Sequence, residues 1–310
     1  MLKSPQSIIL SGKGETMQLI NPFTQPGKFY KANLHTHTTN SDGLFSVNDR
    51  ARQYKEHGYS ILAITDHHVV SDIKGLADEN FLVISAMEMH PPCPPDFEVY
   101  HLVCLNVPFG LKLPEDSDAN TWVRYIKEAG GELIFAHPYW CGHNVSHMNN
   151  IEQFIAVEVF NTTCTHIGKG FSSVHWDDNL DQGRIIGGVA VDDCHSDIDM
   201  FKGWTMIKAA DLTINSVMDA LRCGSYYCSC GPVIENFEVV DGIATLKCSP
   251  VSEVHFMGRR ASGGSTYTND GETITQASIP VGPANGYIRA EVVDEKGKRA
   301  WTNPIMLADY

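Results

Sequence analysis

A chain of 310 residues with 43% hydrophobic content can bury an ample core and exceeds the usual size of one compact domain, so one large and one small domain are expected. Its 23 basic residues against 37 acidic ones leave a formal charge of −14, which disfavours nucleic acid and anionic lipid as partners. No run approaches membrane-spanning length, and Lys3, Lys13 and Glu15 interrupt the N-terminal apolar residues, so no signal-peptide core is expected and the chain reads as soluble and cytoplasmic. Nine cysteines without a Cys-x-x-Cys pair read as free thiols in a reducing compartment.

After an N-terminal extension (1–30), short apolar runs alternate with helix-length amphipathic segments from about Lys31 to Tyr227. Residues 59–65, 81–86, 99–107, 132–136, 156–160, 185–191 and 203–209 are β-branched and continuous, the pattern of strands buried on both faces of a parallel sheet. Ser46 and Asp49 form a capping pair ahead of Val47, Ala51 and Tyr54, and His57-Gly58 is a helix stop. Asp118 caps a second helix that carries Trp122, Ile126 and Ala129; a third starts near Ile214 and closes near Gly224. Such repeated units imply a barrel or an open doubly wound sheet. After Gly231-Pro232 only short strands remain (233–240, 244–248, 253–257, 274–279 and 287–293), separated by Asp241-Gly242, Gly263-Gly264, Asp270-Gly271 and Lys296-Gly297 turns. Residues 233–310 therefore read as a small all-β, sandwich-like domain.

His35, His37, Asp42, His67, Glu88, His101, His137, Asp193 and His195 cluster where these strands end. A His-x-His pair alone is weak, since 14 histidines supply roughly 0.6 such pairs by chance. On a strand, however, residues i and i+2 share a face, so His35 and His37 can reach one ion, and Asp193 and His195 repeat the spacing. Imidazoles and carboxylates gathered at strand ends suit a cluster of divalent ions around one barrel mouth, where a metal-activated water is a hydrolytic nucleophile. His101 fits poorly, because it starts its run rather than ending it. His68 has the opposite parity to His67, Asp66 is a candidate to orient an imidazole, and His90, His147 and His255 are expected to meet solvent.

The ordered segments NLHTHTTNSDG (33–43), AITDHH (63–68), SAMEM (85–89), HLVCLNVP (101–108), AHP (136–138) and DDCH (192–195) resemble the PHP family, named for polymerase and histidinol phosphatase domains. The tail IRAEVVDEKGKRAWTNPI (288–305) is similar to a β-module appended in one branch of it. The resemblance implies an α/β fold with a distorted (β/α)7 TIM-like barrel over residues 31–232 and two or three Mn, Fe or Zn ions. It implies a first ion on His35, His37, Glu88 and Asp193, a second on Glu88, His101 and His137, and a third on Asp42, His67 and His195. Glu88 would then bridge, Asp193 would shuttle the proton of the attacking water, and His195 would complete the catalytic set.

Glu158 and Asn161 straddle another strand end, and His143, His166 and His175 lie in later segments, so all five are candidate substrate contacts. Lys169 and Arg184, with Lys74, are the cations available to a phosphate. The expected activity is a metal-dependent phosphoesterase acting on a small phosphorylated molecule. The alternatives are an amide, ester or carbamate hydrolase with the same site, and a non-catalytic metal-stabilised binding protein. Oligomeric state is not encoded in any of these features.

Overall fold

The computed structural model describes residues 19–93, 99–269 and 271–307. The N-terminal reading up to residue 18 and Asp270 of one expected turn lie outside them. The first half of the chain forms β1 (Lys28–Asn33), α1 (Val47–Glu56), β2 (Ile61–Ile64), β3 (Leu82–Met89), β4 (Leu102–Leu105), α2 (Ala119–Glu128) and β5 (Glu132–Phe135). It continues through α3 (Pro138–Cys141), α4 (Val145–Asn149), β6 (Ala156–Asn161), α5 (Ser173–Asp181), β7 (Gly187–Val191), β8 (Trp204–Ala209), α6 (Ile214–Arg222) and β9 (Tyr226–Ser229). The expected caps are present: Ser46 accepts from the Asp49 amide and Asp118 from the Thr121 amide, each satisfying an otherwise orphaned N–H.

The architecture is mixed α/β with one large sheet and few helices. Along that sheet β8, β1, β2, β3, β4, β5, β6 and β7 follow in order. The closed, all-parallel barrel expected from sequence is not formed. Strands β4 and β8 run antiparallel to their neighbours, and among the described residues β7 has no ladder partner beyond β6. Two local contacts bring the free edge of β7 round. Thr205 Oγ1 of β8 donates to Ala190 O at 3.1 Å and accepts from Ala190 N at 3.3 Å. Beyond the strand ends, Thr36 makes a single parallel bridge with Cys194. The sheet thus curls almost into a ring while staying open. Ala32, Leu34, Ile61, Ala63, Ile84, Val103, Ile134 and Val189 pack within its curve, and none is more than 1% exposed.

The remaining strands are β10 (Ile234–Val240), β11 (Ile243–Val251), β12 (Glu253–Gly258), β13 (Gly263–Tyr267), β14 (Ile274–Pro280), β15 (Tyr287–Val293), β16 (Arg299–Thr302) and β17 (Ile305–Met306). Strands β10, β11 and β14 form a separate sheet. It packs over the layer β13-β12-β15-β16, with Phe237, Leu246, Phe256 and Ile288 between the two. That layer is not detached: β16 pairs with β9, so the large sheet runs on into the sandwich. Asp241 (φ 49°) and Gly242 (φ 73°) make the two-residue hairpin between β10 and β11, where two left-handed residues match the strand twist. Gly263-Gly264, read from sequence as a turn, instead opens β13 and pairs with β12. Across the junction the buried Arg289 guanidinium donates to both carboxylate oxygens of Asp177 on α5, at 2.7 and 2.6 Å, and stacks on Trp176.

Candidate metal centre

Strand direction explains which residues meet. Parallel β1, β2, β3, β5 and β7 deliver residues at or just past their C-terminal ends to one mouth, and antiparallel β4 delivers the residue before its start. His101 is therefore no exception: it precedes β4, and its Nδ1 lies 2.8 Å from Glu88 Oε1. The nine candidate ligands are brought together, with Glu88 at the centre and 1% exposed.

Four donor atoms converge on the Oε2 side of Glu88. His35 Nε2 lies 3.1 Å from His37 Nε2, 3.3 Å from Glu88 Oε2 and 3.2 Å from Asp193 Oδ1. His37 Nε2 is 3.5 Å from Glu88 Oε2 and 3.1 Å from Asp193 Oδ1. A cation bonded at 2.0–2.1 Å to four tetrahedral donors would space them by about 3.3–3.4 Å. The tautomer agrees, since His35 Nδ1 donates to Glu158 Oε1 at 2.6 Å, leaving a lone pair on Nε2. On the other side, Glu88 Oε1 faces His101 Nδ1 and, at 3.4 Å, His137 Nε2. Asp42 gathers the last set: its Oδ2 is 3.3 Å from His67 Nε2 and 3.4 Å from His195 Nε2. His195 Nδ1 donates to Asp193 O at 2.8 Å, so Nε2 again offers a lone pair. His67 Nδ1 lies 3.0 Å from Glu88 Oε2 yet makes no aligned hydrogen bond. Facing lone pairs of this kind fit bound divalent cations.

The surroundings hold these groups rigidly. His137 (φ 24°) and Asp193 (φ 53°) sit in left-handed backbone, a cost of about 1–3 kcal/mol each for residues with a Cβ. Glu158 Oε2 takes the His137 amide at 3.0 Å, and His35 O takes the Asp193 amide at 2.9 Å. Buried Arg50 donates to His37 O, Cys194 O and His195 O, tying the two i, i+2 pairs together; nothing in the sequence marked it. Without cations, His35 is pushed up despite its burial by Asp193, Glu158 and Glu88. His67 rises to about 9, its desolvation outweighed by the Asp42 and Glu88 carboxylates beside it. Burial pulls the Asp42 carboxyl the other way, but hydrogen bonds from His195 and His67 hold it well below the usual carboxylate range.

Several expected roles fall elsewhere. Glu158 and Asn161 are buried against the ligands, Asn161 Nδ2 donating to Glu158 Oε2 and to Asp193 Oδ2 at 2.9 and 3.1 Å. Asp66 orients no imidazole: it accepts from Thr38, Ser41 and Ser71 and shapes the loop that carries Asp42. Arg184 precedes β7 and so lies at the end of the sheet away from the mouth, where its guanidinium donates to Met148 O and Ile151 O and stacks on Phe154. His143 is 2% exposed between Tyr100 and Phe135, and His175 Nε2 donates to its carbonyl at 2.9 Å, so these two rings knit helices together. His166 stands 3.2 Å from Asp199 Oδ1, and Lys169 lies over the Tyr139 ring. His68 is exposed and turned toward Trp122. Two residues that the sequence did not single out are close to the centre. The half-exposed Trp140 ring is 5.7 Å from His101 and 5.3 Å from His137. His90, expected in solvent, has its Nε2 3.6 Å from Glu88 Oε1.

The fold is PHP-like. A two-domain protein containing a predicted PHP-like metal-dependent phosphoesterase, from Bacteroides vulgatus, aligns over 95% of this chain and 100% of its own, with a TM-score of 0.52 and 15% identity. An inferred metal-dependent phosphoesterase from Bifidobacterium adolescentis covers 61% of this chain and 95% of its own, at 12% identity and a TM-score of 0.43. An amidohydrolase from Chromobacterium violaceum, with bound sulfate and no metal, covers 54% and 88% at 14% identity and a TM-score of 0.42. Of these three, the first alone has a TM-score above 0.5 and bears on the fold. No protein-family model matches the sequence, and no curated protein matches it.

Proposed function

We propose that this chain is a metal-dependent hydrolase, acting as a phosphoesterase on a small phosphorylated substrate. One observation carries the reading: Glu88 presents each carboxylate oxygen to a separate set of imidazoles, the arrangement of a bridging ligand. His35, His37, Glu88 and Asp193 would hold one divalent ion, Glu88, His101 and His137 a second, and Asp42, His67 and His195 a third. Such ions, whether Mn, Fe or Zn, supply Lewis acidity and lower the pKa of bound water to about 7.

The protein's own groups do the rest. Asp193 keeps Oδ1 toward His35 and His37 while Asn161 fixes Oδ2, so its carboxylate is positioned to accept the proton of the attacking water. Glu158 holds His35 in the tautomer that leaves Nε2 free. His195 and Asp42, the more exposed members, flank the side where a substrate oxygen enters. Trp140 and Tyr139 stand at the rim, where their faces limit access and can contact the part of the substrate that does not react.

A second reading, hydrolysis of an amide, ester or carbamate, is favoured by the fate of Arg184, whose engagement with carbonyl groups leaves no guanidinium clamp for a phosphate. Metal analysis of protein purified without chelator, followed by nitrophenyl phosphate mono- and diesters beside anilide and carbamate substrates, decides between them. Two to three ions per chain and chelator-sensitive phosphoester cleavage are expected. Fewer than two ions after reconstitution, or turnover confined to anilides and carbamates, would refute the phosphoesterase reading.

A further inference from the structure

We propose that His90 is an additional ligand to the cation on the Oε1 side of Glu88, so that this position is built from three imidazoles and one carboxylate and takes zinc or iron(II) in preference to manganese. The inference rests on the metal-hydrolase reading above and concerns the identity of its ions.

Glu88 stands near the end of β3, and His90 follows it by two residues. In extended chain the side chains of i and i+2 project to one side. The same sequence spacing joins His35 to His37 and Asp193 to His195, so three segments deliver a pair of donors each. The His90 ring lies 4.0 Å from that of His101 and 4.6 Å from that of His67, centroid to centroid. Its Nε2 is buried and has no hydrogen-bond partner among the described residues, although the side chain as a whole is 19% exposed. A buried nitrogen left unpaired is costly, and a cation at Glu88 Oε1 would give it a partner.

With His90 included, Glu88 Oε1 faces His101 Nδ1 at 2.8 Å, His137 Nε2 at 3.4 Å and His90 Nε2 at 3.6 Å. His67, Glu88 and His90 also offer donor atoms within 4.8 Å of one another, so His90 stays at the cluster on either side of Glu88. Imidazole-rich sites suit zinc and iron, whereas carboxylate and water suit manganese, magnesium and calcium. A third imidazole therefore shifts this position toward the borderline metals.

The test uses the full chain, stripped with chelator and reconstituted with zinc or cobalt(II). In the wild type labelled with 15N-histidine, the His90 Nε2 resonance should move on zinc addition, a readout that needs no variant. His90→Ala and His90→Gln should weaken one zinc equivalent on the order of 100-fold, somewhat like or beyond the loss of an outer-shell partner, and should change the cobalt(II) visible spectrum. His68→Ala should do neither. An unmoved His90 resonance, or His90 variants with wild-type zinc affinity and an unchanged cobalt spectrum, would overturn the assignment while leaving the hydrolase reading intact. A wild-type protein that takes up fewer than two equivalents would bring down both.

Discussion

Glu158→Gln isolates what a residue behind the ligands contributes. The carboxylate is fully buried, with Oε1 against His35 Nδ1 and Oε2 accepting from the His137 amide and Asn161 Nδ2. All three partners donate, so an ionised carboxylate satisfies them and a glutamine cannot. If the new NH2 turns toward His137 and Asn161, two donors are orphaned. If it turns toward His35, that ring must shift its proton to Nε2, the atom aimed at Glu88 and Asp193. The second choice orphans fewer groups but removes a lone pair from the first ion's donor set. Loss of such a partner weakens metal affinity about 10–100-fold, or about 1.4–2.8 kcal/mol. The metal-free fold should lose about 1–3 kcal/mol from the charged hydrogen bond alone. Competition titration with a chromophoric zinc chelator and thermal unfolding with and without zinc would measure the two effects. Zinc affinity within twofold of the wild type would refute the argument that Glu158 fixes the His35 tautomer.

Arg289→Ala breaks the clasp between β15 and α5 and should destabilise the protein by about 3 kcal/mol, the low end for a broken buried pair because Asp177 stays partly solvated; denaturant unfolding within 1 kcal/mol of wild type would contradict it. In the metal-free protein the His67 pKa of about 9 lies above its unfolded value of about 6.5, so its contribution to stability is full below pH 6.5 and is lost as pH rises through 9. Zinc binding at pH 7.5 should correspondingly release about one proton more in the wild type than in His67→Ala, measured by calorimetry in buffers of different ionisation enthalpy; equal release would contradict the assignment. Trp140→Ala should raise KM for nitrophenyl phosphate about 2- to 12-fold with a smaller effect on kcat, given about 0.5–1.5 kcal/mol for one aromatic contact, and an unchanged KM would remove Trp140 from the substrate's path.

Local signals carried much of the fold. Ser46 and Asp118 are legible as caps because a cap is a contact within one turn, and the buried strands because their apolar runs are continuous. Strand direction was not legible. The residues of β4 carry no mark that distinguishes an antiparallel strand from a parallel one in a two-faced core, so the sheet read as a uniform parallel barrel. The joining of β9 to β16 was hidden for a related reason: a pairing between residues some seventy positions apart leaves no pattern in either segment. Once β4 is reversed, the residue that fitted the barrel least, His101, becomes the one its topology requires at the mouth.

The site divides along the same line between local parity and distant contact. His35 with His37 and Asp193 with His195 were found by i, i+2 spacing, and adjacent Asp192 shows why parity discriminates: one residue off, its carboxylate turns away and accepts from Tyr54 and from the amides of Phe201, Lys202 and Gly203. Glu88 and His90 have the identical spacing, yet on sequence alone His90 is expected to meet solvent. Arg50, Glu158 and Arg184 are different. Each long side chain chose among partners on several segments, and only packing decided that Arg50 would bind three carbonyls, Glu158 would brace His35, and Arg184 would bond the carbonyls of Met148 and Ile151. The mouth is consequently rich in lone pairs and poor in fixed cations. Under the proposed reading an anionic substrate there would depend on bound metal for its counter-charge, so metal loading would control binding as well as chemistry.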